Sequence, residues 1–459
     1  MFESKMKGFH GMDALAPNGF KKKRKLSPWI LIISGFAAVI IIGAALLMLP
    51  ISSRTGPAPL SDALFTSVSA VCVTGLVVRD TAVSWSGFGQ AVLLVLIQIG
   101  GLGVVTVAAS LTLLSGRKIS LFTRSTIQSS MGAPQLGGMV RLTKFVLKIT
   151  FLTELVGALL LLPTFITRYG AVGIWLAVFH SVSAFCNAGF DIMGARTGEF
   201  SSLTSFSANP LVSVIVMLLI IIGGIGFLTW DDFRTHKLRF SKYSIQSKAA
   251  LTVSGLLIFL PAVLLFFVDF KGMPLGERVL SAFFQSVTPR TAGFNTADLT
   301  RLSGPSKGLT TALMLVGGSP GSTAGGMKTT TLAVLAAAVF STFRRDPEVH
   351  MFGRRVELTA VKTAAALFIM YLVLFFTGAC AISLIEGLPM SDCLFETASA
   401  LGTVGLTLGI TPSLGTASRC ILMALMFAGR VGGLTLIYAL LPGGGKPTAK
   451  LPQETITVG

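Results

Sequence analysis

Four glycines, Gly75, Gly189, Gly293 and Gly405, sit in settings that could bind an ion. Each lies ten residues after a phenylalanine, in FTSVSAVCVTGL (from Phe65), FHSVSAFCNAGF (Phe179), FFQSVTPRTAGF (Phe283) and FETASALGTVGL (Phe395). Each is followed by Leu or Phe, and the spacing between them is roughly 110 residues, a period that suits a module of several membrane elements. A dehydrated alkali cation is held by a ring of oxygen dipoles. Backbone carbonyls supply these without a permanent charge that would trap the ion. A carbonyl turns toward an axis only where neighbouring dihedrals are unusual, and glycine adopts those most cheaply. The expected ion-binding set is Cys72, Val73, Thr74 and Gly75; Asn187, Ala188 and Gly189; Thr291, Ala292 and Gly293; and Thr403, Val404 and Gly405. The residues ahead of each glycine are small or β-branched and suited to pack behind a ring. A single membrane glycine is more often a helix-packing residue; four at matched offsets favour the ring.

A second segment, GGSPGSTAGGMKTTT at 317–331, interrupts an apolar run between ALMLV and LAVLAAAVF. Pro320 removes a backbone donor, and the glycines and hydroxyl residues are poor helix formers. An irregular loop at mid-membrane is expected, below the glycine ring, acting as a movable gate. Its residues are Gly317, Gly318, Ser319, Pro320, Gly321, Ser322, Thr323, Ala324, Gly325, Gly326, Met327, Lys328 and Thr329. GSTAGGMKT nearly spells a phosphate loop. Met327 separates the second glycine from the lysine, however, and no preceding strand or soluble α/β pattern is apparent. Lys328 and Arg430 are charges at membrane depth, which default to functional roles. Arg430, in FAGRVGGLTL, is expected to be an electrostatic barrier facing the loop, and Lys328 to pair with a carboxylate or free carbonyls; snorkelling is the bland alternative.

Other polar residues carry weaker signals. Arg290 is expected to tie down carbonyls of the adjoining short helix. His180, whose counterparts in the matched segments are Thr66, Phe284 and Glu396, reads as a packing or hydrogen-bonding residue. Asp231 and Asp232 read as a solvated helix end, not a metal pair. Glu154 is expected to pair with a cation or line an interface, and Asp392 and Glu396 to concentrate cations modestly near the mouth.

The elements that must position these residues follow from composition and charge. Of 459 residues, 52% are hydrophobic and 12% charged. A soluble chain carries about twice that charge fraction. Apolar runs of about 20 residues recur, enough to cross the hydrocarbon. The net charge of +18 does not form a nucleic-acid patch. Lys and Arg cluster in Lys21–Lys25, Arg117–Lys148, Arg234–Lys248 and Arg344–Lys362, with roughly 25 on one side of the hydrophobic pairs and about 10 on the other. That asymmetry puts both termini in the cytoplasm of a multi-pass, cell-membrane protein, bacterial plasma membrane by expectation, with no cleaved signal peptide. The five cysteines lack CxxC spacing and read as small hydrophobes.

The expected fold is an all-α polytopic membrane protein of four pseudo-repeated helix–pore-loop–helix units around one central pore. The expected layout is a cytoplasmic N-terminal segment (1–27), unit 1 (28–116), a linker (117–142), unit 2 (143–233), a linker (234–248), unit 3 (249–343), a linker (344–359), unit 4 (360–441) and a cytoplasmic tail (442–459). First helices are expected near 28–50, 143–166, 249–268 and 360–385. Second helices are expected near 86–114, 209–231, 307–341 and 415–441, with only the third broken. Irregular backbone at membrane depth is tolerated where it is buried or lines water, which four converging loops would provide.

This plan resembles the Trk/Ktr/HKT superfamily of potassium transporters, and within it the membrane subunits of the bacterial Ktr uptake system. The marks are VTGL at 73–76, IGGLG at 99–103, NAGF at 187–190, RTAGFN at 290–295, TVGL at 403–406, GRVGGLTL at 429–436 and ETITVG at 454–459. The resemblance implies potassium uptake, with potassium at the carbonyls of Gly75, Gly189, Gly293 and Gly405. Fewer stacked ion sites than a TVGYG filter would give are implied, with sodium able to permeate or assist. It also implies a homodimer seated on a cytosolic RCK-type nucleotide-binding ring, the nucleotide on that separate subunit and no cofactor on this chain. The basic loops would dock the ring or meet anionic membrane lipid. An anion carrier, suggested by Lys328 and Arg430, and a membrane-embedded enzyme, which would need convergent acids or metal ligands, are the weaker alternatives.

Overall fold

The computed structural model describes residues 27–115, 119–132 and 137–440, with Pro452 and Glu454. The expected N-terminal segment before Ser27, and nearly all of the tail with ETITVG, lie outside the described residues.

Four helices are long and apolar enough to cross a membrane: Pro28–Leu47, Met139–Tyr169, Ile245–Val268 and Leu358–Glu386. At 1.5 Å per residue the shortest spans about 30 Å. Their outward faces carry exposed Ile41, Phe151, Leu155, Phe259, Leu260, Ile369 and Val373. Water would penalise such a surface, and hydrocarbon does not.

After each long helix comes a short one: Leu60–Val71, Val172–Phe185, Leu275–Val287 and Met390–Gly402. At 12 to 14 residues these cover only about 20 Å and cannot cross. Each packs back onto its long helix. Ser67 donates to the Ile40 carbonyl (2.7 Å), Ser181 to that of Glu154 (2.6 Å) and Ser286 to that of Ile258 (2.5 Å). Glycine allows this approach in the first two units: a methyl added at Gly43 or Gly157 would lie 2.5 Å from the hydroxyl of Ser67 or Ser181.

The third unit departs from the spacing read in the sequence. Phe65, Phe179 and Phe395 are fully buried, but in the third unit it is Phe284 that is fully buried, while Phe283 is half-exposed against Phe259. The cause is the turn into the glycine. The amides of Thr74, Ala188 and Val404 bond five residues back, to Ser69, Ser183 and Ser399 (2.8 Å each), whereas Ala292 bonds four back, to Thr288 (2.9 Å). One residue fewer lies between helix and glycine, so the helix is shifted by one. The counterpart of His180, Thr66 and Glu396 is therefore Gln285, not Phe284.

The second helices correct another expectation. Gly87–Leu102 and Val104–Leu113 meet at 95°, Pro210–Ile225 and Phe227–His236 at 92°, and Thr416–Val431 and Gly433–Ala439 at 97°. The corners are Gly103, Gly226 and Gly432, with φ of 84°, 100° and 89°. A side chain resists that conformation, and glycine does not. All four second helices are thus broken, not only the third, which runs Gly304–Leu315, unwinds, and resumes at Thr329–Phe343.

Candidate functional site: a glycine ring and the loop packed against it

The carboxyl ends of the four short helices deliver the four glycines to one place. A methyl added at Gly75 would meet the Ala188 carbonyl at 2.5 Å, and one at Gly189 the Ala292 carbonyl at 2.8 Å. One at Gly293 would meet the Val404 carbonyl, and one at Gly405 the Thr74 carbonyl. The order runs 1 to 2 to 3 to 4 and back to 1, a closed circle of main chain. No side chain fits at these four positions without displacing backbone.

The dihedrals repeat as well. In each unit the glycine has positive φ (Gly75 92°, Gly189 67°, Gly293 79°, Gly405 92°), and so does the residue two before it (Val73 56°, Asn187 58°, Thr291 70°, Thr403 53°). Non-glycine residues in this region carry strain, which persists only where surroundings enforce it. In an extended strand successive carbonyls alternate sides, and left-handed residues break the alternation. Side-chain packing enforces it here: Val73 lies against Gly100, Asn187 against Gly224, and Thr403 against Gly325 and Gly429. The Asn187 carboxamide and Thr291 hydroxyl pair at 3.2 Å. Cys72, Val73, Thr74, Asn187, Ala188, Thr291, Ala292, Thr403 and Val404 are all essentially inaccessible. Cys72 caps its short helix, its amide bonding the Val68 carbonyl.

Hydroxyls of the short helices brace the ring. Ser69 accepts from the Gly75 amide (3.1 Å) and Ser399 from that of Gly405 (3.0 Å). Ser183 donates to the Phe190 carbonyl and Thr288 to that of Phe294 (2.7 Å each). These bracing residues escaped the sequence reading, although the serine recurs six residues before three of the glycines.

The loop 316–328 closes on itself and is pinned by its neighbours. Gly317 donates to the Met327 carbonyl (2.8 Å) and Thr329, the first residue of the resumed helix, to that of Gly318 (3.1 Å). Ser319 and Thr323 amides bond the carbonyls of Gly224 (2.9 Å) and Gly223 (3.2 Å), and the Phe227 amide bonds that of Gly321 (2.7 Å). The Thr323 hydroxyl reaches the Phe185 carbonyl (3.1 Å), at the end of the second short helix. Ser322 donates to the Ser319 carbonyl, Ser319 and Thr329 pair through hydroxyls, and Gly326 bonds Gly429 (3.3 Å). Gly325 lies against Thr403 of the ring, Ala324 against Gly318, and Pro320 near Gly132. Unwound backbone here is satisfied by the corners of the other broken helices, as hydrocarbon requires.

Lys328 donates to the Ala324 carbonyl (2.7 Å), within its own loop. Arg430 donates to the carbonyls of Thr323 and Gly100, and to that of Gly101 (3.0 Å). Both cations border one cavity of ≈ 110 Å³, lined in part by the loop residues Gly321, Ser322 and Ala324. Neither pairs with a carboxylate among the described residues.

The remaining polar residues meet mixed outcomes. Arg290 reaches the Ser254 hydroxyl (2.9 Å) on the long helix of its own unit, not a short-helix carbonyl. His180 bonds the Leu176 carbonyl (2.7 Å) and stacks on Phe165. Asp232 accepts from the Ser244 amide and hydroxyl (3.1 and 2.6 Å) and from Ser247 (2.6 Å), capping the next long helix. Glu154 meets Cys186 at 3.8 Å and no cation among the described residues. Glu396 accepts from Thr407 (2.9 Å) and Thr411, turned into the protein.

The family of cation transport proteins known as TrkH matches residues 24–442. The chain is 38% identical to the potassium/sodium uptake protein NtpJ of Enterococcus hirae, across 95% of this chain and 98% of that protein. It is 37% identical to the Ktr system potassium uptake protein B of Bacillus subtilis (91% and 95% covered) and 34% to the protein of that name from Vibrio alginolyticus (96% and 97%). The crystal structure of the potassium transporter TrkH from Vibrio parahaemolyticus shares the fold, with TM-score 0.70 at 19% identity over 93% of this chain and 87% of that one. The chain therefore belongs to the TrkH family of cation transport proteins, and is a multi-pass membrane transporter and not an enzyme.

Proposed function

We propose that this chain carries potassium into the cell through a collar of main-chain carbonyls at Gly75, Gly189, Gly293 and Gly405 and the residues just before them, gated by the loop 317–329. The observation that carries the reading is the closed circle in which each glycine abuts the next unit's carbonyl. Rigid carbonyl dipoles replace the hydration shell of a monovalent cation without holding it as a carboxylate would. The short helices end at the ring and add negative potential there. The similar proteins' names, potassium uptake and potassium/sodium uptake, favour potassium with sodium as a permeant or assisting ion. Flow is passive, drawn by the negative interior.

Arg430 and the loop form the closed state of the gate: a cation below the ring opposes cation passage while its donors hold the loop in place. Because both cations are engaged by carbonyls, an anion-carrier reading loses its motive. With the basic linkers inside, both termini are cytoplasmic. The chain works as a homodimer on a cytosolic RCK-type nucleotide-binding ring, docked through the linkers. Rubidium uptake into proteoliposomes tests the transport reading: competition by potassium, more weakly by sodium and not by changing the anion, is expected. Uptake indifferent to potassium would refute it.

A further inference from the structure

Away from the ring, on the face that the proposed orientation makes external, a cavity of ≈ 400 Å³ opens between units 1 and 2. It is lined by Arg54, Gly87, Gln90, Trp175, Leu176 and Arg196, among others. Two guanidinium groups face one hollow, and no acidic residue lines it. Neither arginine forms a salt bridge among the described residues. Arg54 spends its Nε on the Trp85 carbonyl (3.2 Å), leaving its terminal nitrogens; Arg196 lies over the Tyr169 ring, 5.8 Å from its centre. The other polar groups are already engaged: the Trp175 indole donates to Gln90 Oε1 (2.9 Å), and Gln90 Nε2 donates to the Trp85 carbonyl (3.1 Å). The unspent hydrogen-bonding capacity is thus cationic and planar, the form that pairs two-pronged with phosphate.

The surroundings select the source of that phosphate. Val172 in the lining and neighbouring Phe88 and Ile174 are exposed apolar residues (43 to 53%), and tryptophan, here Trp175, is a residue type enriched at membrane–water boundaries. We propose that this cavity binds the headgroup of an anionic phospholipid, its phosphate held by Arg54 and Arg196 and its chains along Phe88, Val172 and Ile174. The site also lines Ile192, three residues past Gly189. Two uncompensated cations beside the outer approach would repel the transported cation, and a bound phosphate cancels them. Anionic lipid therefore raises uptake. Only the assignment to the outer leaflet and this effect on uptake rest on the transport reading; lipid binding itself does not.

Native mass spectrometry of the full chain, released from nanodiscs of mixed phosphatidylglycerol and phosphatidylcholine, tests the site. A retained phosphatidylglycerol is expected on the wild type, depleted about tenfold in Arg54→Gln/Arg196→Gln. Arg54→Lys/Arg196→Lys, which keeps charge and loses the fork, should retain an intermediate amount; this variant also stands in if the glutamine pair fails to fold. Equal retention by wild type and variants would overturn the proposal. So would displacement of the lipid by millimolar inorganic phosphate, which would mark a site for soluble anions. Preserved retention in protein that does not transport rubidium would refute the transport reading alone.

Discussion

Arg430 holds the carbonyl of Thr323, and through Gly100 and Gly101 it ties the unwound loop of the third unit to the corner of the first. A guanidinium can do this because its donors are fixed in a plane and point several ways. Replacing it with Gln removes the charge and most of those bonds. Rubidium uptake by Arg430→Gln should rise severalfold over wild type, while Arg430→Lys, keeping a point charge, should fall between the two. Unchanged uptake by correctly folded Arg430→Gln would remove the barrier role.

Shortening the loop tests the gate from the side of the loop itself. Deleting residues 321–324 takes away the Thr323 bonds to Gly223 and Phe185 and the Gly321 bond to Phe227. At about 1 kcal/mol for each net hydrogen bond, losing these three lowers the cost of opening enough for at least a roughly tenfold rise in uptake. Size-exclusion chromatography verifies folding, and flux no higher than wild type would count against a gate.

The bracing serines predict a selectivity defect more than a folding defect. Ser69→Ala and Ser399→Ala each free a glycine amide of the ring, at a cost of about 1 kcal/mol. A looser ring fits ions less selectively. Sodium should compete with rubidium more effectively in both variants, and in the double variant more than in either. Competition curves identical to wild type would show that the hydroxyls are dispensable.

Unit 1 and unit 4 are also clasped by an ion-pair cluster. Asp62 accepts from Arg79 (2.5 Å) and from Arg419 (3.1 Å), with the Asp62 side chain 11% exposed. Asp62→Asn leaves two arginines facing a neutral amide. Since Arg79 is about a third exposed, solvent screening keeps the loss near 1–2 kcal/mol. Melting in detergent should fall by a few degrees, and a variant that melts with the wild type would show the clasp to be ornamental to stability.

Much of the architecture is legible in the residues because hydrocarbon imposes a simple rule: an apolar run of about 20 residues is a span. The long helices are therefore found within a few residues. The three extra corners are harder. Gly103, Gly226 and Gly432 carry a signal, a glycine three residues after Gly100, Gly223 or Gly429, but membrane helices tolerate glycine and the hydrophobic run continues across the corner. The one-residue shift of unit 3 hides behind the FF pair at 283–284, where either ring satisfies the pattern. Arg419 reaching Asp62, and Asp80 accepting from the Phe200 amide (2.8 Å), join residues 357 and 120 apart. No local pattern encodes such pairs, and only the packing of units around the axis creates them. The cyclic order of the glycine contacts belongs to the same class.

The central claim is that main-chain oxygens around these glycines bind a bare monovalent cation, and anomalous diffraction from crystals grown in rubidium tests it most directly. The account predicts a rubidium peak on the axis between the carbonyls of Thr74, Ala188, Ala292 and Val404, weakened when potassium replaces rubidium. An intact ring with no axial peak, and rubidium bound elsewhere in the membrane region, would contradict it.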